Sequence, residues 1–149
     1  MTVVDPQPIP RPTTAAGFNA ASEGKLPGFV GVEIVAIDEG SVSARLEVTD
    51  HHLAPNGYLH AATVIALADT ACGYGCVRSL PEGAVGFTTI DLQANFLRTV
   101  VGGRIDCDAA LVHGGRTTQV WDATVRDGNG RTLALFRCTQ LVLQPLPGG

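Results

Sequence analysis

Residues 59–77, LHAATVIALADTACGYGCV, form a nearly unbroken apolar stretch that carries a single carboxylate, Asp69, in its middle. At 3.6 residues per turn the stretch makes a helix of about five turns. A helix that is apolar nearly all round is normally buried, so the rest of the chain has to enclose it. The carboxylate then needs an explanation, because an ionised group without a partner is costly to bury. Asp69 is the only charge between Ala61 and Val77, and Arg78 is nine residues away, more than two turns along the axis. Two explanations stand side by side. Either Asp69 pairs with Arg78 or with a loop N–H of a neighbouring subunit, or it sits in a partly apolar cleft as a base whose pKa desolvation has raised.

The helical repeat places Val64, Leu67, Ala71 and Tyr74 on one face, suited to packing on a sheet. Counting from Asp69 instead gives Ala62, Ala66, Gly73 and Cys76, a row of small residues that lets a partner helix or a ligand come close. Gly73 and Gly75 each cost about 1 kcal/mol relative to alanine inside a helix, which also points to close approach. At the helix start the first N–H groups lack intrahelical acceptors and carry the positive end of the dipole. Ala61 and Ala62 are therefore candidate oxyanion donors. The plainer reading has water or Asn56 satisfying them.

Around this helix the pattern is β. Residues 31–38 and 41–49 alternate about a turn at Glu39-Gly40. Four more runs follow at 86–97, 103–112, 116–126 and 132–143, separated by Gly102-Gly103, Gly114-Gly115 and Asp127-Gly128-Asn129-Gly130. Short connections between strands favour an antiparallel sheet. The expected fold is α+β, with about six strands curved around one central helix. Residues 1–25 read as an extended arm with a short helix over 18–25, closed by a break at Leu26-Pro27-Gly28, and residues 26–145 as the domain.

The 149 residues suit one core; 45% are apolar and 16% charged, which makes association with further copies an expectation. A net charge of -4 supplies no broad basic surface, so nucleic acid is not an expected partner. The four cysteines form no pair of CxxC clusters and read as free thiols in a reducing cytoplasm rather than as metal ligands. Asp69 and the many small residues make 59–77 a poor membrane span, so a soluble protein is expected.

Taken together, Gly57-x-x-His60, LADTA around Asp69, FLR at Phe96–Arg98 and the hairpin GRTTQVWDATVRDGNGR resemble hotdog-fold acyl-CoA thioesterases of the PaaI-like group over about residues 26–143. The resemblance implies hydrolysis of an acyl- or aryl-CoA thioester to free acid and coenzyme A, with no separate cofactor and no metal. It further implies a homodimer that pairs again into a homotetramer, with active sites between subunits. Asp69 of one chain would act as general base or nucleophile on a carbonyl held at the helix start of the other, with Ala61 the oxyanion donor.

Two positions depart from the pattern. His-Gly-Gly becomes His60-Ala61-Ala62, and the Asn or Gln six residues before the histidine is Ala54, leaving Asn56 as a substitute. Thr70 is a candidate to orient water. His60 is a candidate to contact substrate or hold the loop. Gly57, Ala62, Ala66 and Gly73 are expected around the substrate, and Arg98 and Arg116 at the coenzyme A phosphates. The alternatives are a hotdog enoyl-CoA hydratase and a non-catalytic acyl-CoA sensor.

Overall fold

The structure, a computed structural model, describes residues 11–148. Two short helices, α1 (Ala15–Ser22) and α2 (Leu26–Val30), lead into the hairpin β1 (Glu33–Asp38) and β2 (Ser41–Val48). The long helix α3 (Ala61–Arg78) follows, then β3 (Gly86–Phe96), β4 (Gly103–Gly114), β5 (Thr118–Asp127) and β6 (Thr132–Leu143). All strand pairings are antiparallel, in the order β1-β2-β4-β5-β6-β3, with α3 packed across the sheet. This is the hotdog arrangement that the sequence led us to expect.

The turns explain the connectivity. Gly40 closes the first hairpin at φ +79°, where a side chain would be strained. In the β5–β6 turn, Asp127 Oδ1 accepts the backbone N–H groups of Asn129 and Arg131, which fixes the reversal. Helix residues Leu67, Ala68, Ala71 and Cys72 are fully buried against Ile105, Trp121, Val125, Ala134 and Cys138 of the sheet. All four cysteines are free and buried. Among the described residues no helix is long and apolar enough to cross a membrane.

Close approach at the helical glycines comes from the chain's own sheet. A Cβ on Gly75 would lie 2.5–3.0 Å from three atoms of the Trp121 ring, and one on Gly73 would lie 3.1 Å from Phe87.

The N-terminal expectations need correction. The helix over 18–25 instead runs from Ala15 to Ser22, started by Thr14, whose hydroxyl accepts the Gly17 N–H. Phe18 is buried against Tyr74 with ring centroids 4.9 Å apart, and the Asn19 side-chain amide exchanges two hydrogen bonds with the Ile34 backbone. Residues 15–22 thus belong to the packed body, and the boundary expected at residue 25 falls inside it. The break at Leu26-Pro27-Gly28 is the start of α2, because proline is tolerated in the first turn of a helix. Residues 1–10 of the expected arm lie outside the described residues.

Helix propensity alone makes Gly75→Ala stabilising by about 1 kcal/mol. The Trp121 contact reverses that sign, and we expect a net destabilisation of about 1–3 kcal/mol in urea unfolding. A variant as stable as the parent would show that the ring does not set the helix-to-sheet distance.

Candidate active site

Asp69 lies midway along α3 and is half-buried, with Oδ1 out of solvent and without a hydrogen-bond partner among the described residues. Burial pushes its carboxyl above the ordinary carboxylate range. Pairing with Arg78 does not occur: that guanidinium bonds Glu39 instead, at 3.3 Å. Thr70, next in sequence, is also half-buried. Its hydroxyl makes no hydrogen bond among the described residues, whereas the Thr63 hydroxyl donates to the His52 carbonyl at 2.9 Å.

The start of α3 distinguishes its first three amides. His60 is the N-cap, and its Nδ1 accepts the Ala62 N–H at 2.9 Å. The Thr63 N–H donates to the His60 carbonyl at 3.0 Å. The Ala61 N–H is left with no acceptor among the described residues, and Ala61 is exposed. Of the two candidate oxyanion donors, Ala61 is therefore free and Ala62 is occupied. His60 caps the helix terminus through its Nδ1 bond.

The preceding loop is tight. The Ala54 N–H donates to the Tyr58 carbonyl, the Ala54 carbonyl accepts the Gly57 N–H, and Gly57 takes φ +86°. Asn56 Oδ1 accepts the Tyr58 N–H at 3.2 Å, so its oxygen is committed to the turn while its amide group stays exposed.

Sequence reasoning passed over His52, which ties the site together. Its Nδ1 accepts the Thr49 N–H, so Nε2 carries the proton and donates to the Val30 carbonyl at the end of α2. Its own carbonyl accepts from the His60 N–H and the Thr63 hydroxyl at the start of α3. The one available signal was the His51-His52 doublet just before the loop.

The remaining candidates divide between the two ends of α3. Ala62 and Ala66 line a cavity of about 830 Å³ between α3, α2 and β2, whereas Gly73 is buried under Phe87. Arg98 is exposed near the helix start, where the Leu59 N–H donates to the Val100 carbonyl. Its guanidinium bonds the Thr132 carbonyl at 3.1 Å. Arg116 is exposed at the other end, lining a cleft with Arg78 and Ser79. Eighteen helical residues separate those ends, about 27 Å.

Solved structures with this architecture include thioesterase HI1161 from Haemophilus influenzae, with 28% identity, a TM-score of 0.83, and coverage of 91% of this chain and 94% of that one. The PaaI protein of the E. coli phenylacetic acid degradation operon is similar at 27% identity and a TM-score of 0.75, with coverage of 83% and 88%. Among named relatives, a 1,4-dihydroxy-2-naphthoyl-CoA hydrolase of Listeria monocytogenes is 33% identical over 110 residues, 74% of this chain and 89% of that protein. The fold and its central helix define a hotdog-fold hydrolase. The chain belongs to the thioesterase superfamily, whose family model matches residues 56–134, and it is a thioester hydrolase.

The raised Asp69 pKa has a thermodynamic sign. A native state that holds this proton more tightly than the unfolded chain gains stability as the pH falls through the interval between the two pKa values. Above that interval the ionised group is a cost. We expect Asp69→Asn to melt above the parent protein at pH 7, with the gap closing as the pH is lowered to where Asp69 is protonated. A variant melting below the parent at pH 7 would mean that the carboxylate has a favourable partner.

Proposed function

We propose that the chain hydrolyses an acyl- or aryl-CoA thioester to the free acid and coenzyme A. The observation that carries this reading is the pairing of two unsatisfied groups on one helix: the partnerless Oδ1 of Asp69 and the free N–H of Ala61. A carbonyl hydrogen-bonded to that N–H is polarised by it and by the positive helix end, and the tetrahedral oxyanion is stabilised further. Ionised Asp69 either takes a proton from the attacking water or attacks the carbonyl itself, in which case a water then hydrolyses the mixed anhydride to the free acid and restores the carboxylate. Coenzyme A leaves as the thiolate and is protonated. Thr70 orients the water, and the Asn56 amide is the substitute for the polar residue that Ala54 lacks. The similarity to the naphthoyl-CoA hydrolase of Listeria monocytogenes supports a coenzyme A ester as the substrate.

Two chains build each site on this reading. Asp69 follows Ala61 by eight residues on one rigid helix, about 12 Å along the axis. A carbonyl about 3 Å from the Ala61 N–H is therefore out of reach of the same chain's carboxylate. The acid comes from a second copy. Strand β3 suits the joining of two copies, as an 11-residue edge strand with Leu92 and Phe96 half-exposed on the helix side. Long unprotected edges of this kind pair with other strands. Dimers assemble further into a tetramer in the cytoplasm, and Arg98 and Arg116 grip the coenzyme A phosphates. Hydratase chemistry with a His60–Asp69 pair would have to use His60 Nε2 across the same subunit boundary, because Nδ1 is engaged by the Ala62 N–H.

Two substitutions separate the roles. Asp69→Ala should lower thiol release from acyl-CoAs at least about a hundredfold, or about 2.7 kcal/mol. Ala61→Pro removes the oxyanion N–H at the one helical position where proline is at home, after a residue already extended at ψ 136°. It should cost about 10²- to 10³-fold in kcat with an unchanged melting temperature. Enoyl absorbance change without thiol would point to a hydratase, and binding without either product to a sensor.

The same two variants test the shared site. Co-expressed, they form mixed dimers in which one of two sites has both groups, and activity should recover to about a quarter of wild type. No recovery would place acid and oxyanion donor in one chain.

A further inference from the structure

We infer that the acyl portion of the substrate enters the cavity between α2 and α3 of the chain that supplies the oxyanion donor, and that this cavity selects a bulky, uncharged, apolar acyl group over a small one. The inference rests on the thioesterase reading and adds to it the class of acyl group and the element that measures it.

The cavity exists because two strands are out of step. In the β1–β2 register Glu33 pairs with Arg45, so Leu46–Val48 of β2 extend beyond the start of β1. Among the described residues, the chain ahead of β1 does not fill that gap. Instead α2 stands off from it, held by the His52 ring at the Val30 carbonyl. The space of about 830 Å³ is walled by Leu26, Phe29 and Val30 of α2, floored by Leu46, and closed by Ala62 and Ala66 of α3. That volume lies in the range of about 300 to 1,000 Å³ typical of pockets for drug-sized ligands, far more than an acetyl group occupies.

The surroundings specify polarity as well as size. Of the charged groups bordering the cavity, Glu33 and Arg45 neutralise each other through two hydrogen bonds of 3.0 Å. Glu47 is exposed at the rim. Both ring nitrogens of His52 are committed to backbone groups, so among the described residues the exposed His51 is the only basic side chain at the lining that is not already paired. Position supplies the last link, since Ala62 adjoins the free Ala61 N–H and Ala66 lies about one turn further along. A thioester carbonyl at Ala61 leads its acyl chain past two methyl side chains and into the gap. Phe29 borders this space and is 91% exposed, with no packing partner among the described residues that accounts for it.

Ala66→Leu narrows the passage with a good helix former, and Phe29→Ala removes the outer wall. The readout is kcat/KM for decanoyl-CoA divided by that for acetyl-CoA. The ratio should fall about tenfold or more in Ala66→Leu and several-fold in Phe29→Ala. Equal losses on both substrates, or an unchanged ratio, would overturn the inference while leaving the hydrolase reading intact. If Ala66→Leu fails a thermal-unfolding check, the exposed position 29 decides alone. If the parent protein releases thiol from neither substrate, the hydrolase reading fails separately. The cavity is then judged by calorimetry with the non-hydrolysable thioether decyl-CoA. Weaker binding relative to coenzyme A in the variants upholds it, and equal binding overturns it.

Discussion

The contact between the Trp121 ring and the bare backbone of Gly75 sets how deeply the central helix sinks into the sheet. No other residue than glycine permits it without movement of the ring. The ring is fixed in turn: its Nε1–H donates to Gln119 Oε1 at 2.8 Å, and Gln119 Nε2 donates to the Ser79 carbonyl at the helix C-cap at 2.9 Å. One short chain of hydrogen bonds therefore pins the end of α3 to β5. At the other end His52 and His60 do the equivalent work, holding the first turn through the Thr63 hydroxyl and the Ala62 and Thr63 amides. A helix clamped at both termini presents its middle at a fixed height, and Asp69 is in that middle.

That rigidity is what allows polar groups to stay unsatisfied. Nearly all buried polar atoms in folded proteins find partners, and a loose helix would rotate Asp69 toward solvent or toward a cation. Arg78 is the nearest cation in sequence, yet its exposed partner Glu39 takes it. The fold thus keeps a carboxylate desolvated at the expense of stability, a conflict expected where function overrides local preference. His60 contributes the second half, since an N-cap that engages the second helical amide leaves the first one open.

Much of this was legible in the sequence, and the exceptions share a cause. The limits of α3 follow from the apolar run and from Ser79-Leu80-Pro81, and the β1–β2 and β5–β6 hairpins from turns in which Gly40 and Gly130 take positive φ, whereas the placing of β2 beside β4 and of β3 beside β6 is not written in any turn. Periodicity also found the buried face of Val64, Leu67 and Ala71. It left the small residues open, because a stripe containing Gly73 looks the same whether a ligand, another subunit or the chain's own Phe87 covers it. Pro27 was ambiguous in a similar way, as it both breaks a preceding helix and opens a new one. The bulge residues Val35 and Ile90 are apolar yet exposed, so alternation misleads there about which face is inside. Least legible were the cavity and the His52 bonds. A register offset between strands and a ring bridging residues 30 and 49 are long-range facts that local pattern does not encode.

The proposed assembly and the proposed chemistry are consequences of the same geometry. One protomer carries an open edge strand with apolar side chains, a partnerless carboxylate and an unused amide, and its straight helix keeps the last two about 12 Å apart. No rearrangement within the chain brings them together while Trp121 and His52 hold the helix ends. A second copy docked along β3 would cover the edge and bring an acid toward a foreign helix start in one step. Pairing would then complete the site as well as stabilise the fold, and an isolated chain would hold a substrate's acyl group beside Ala61 with no base in reach.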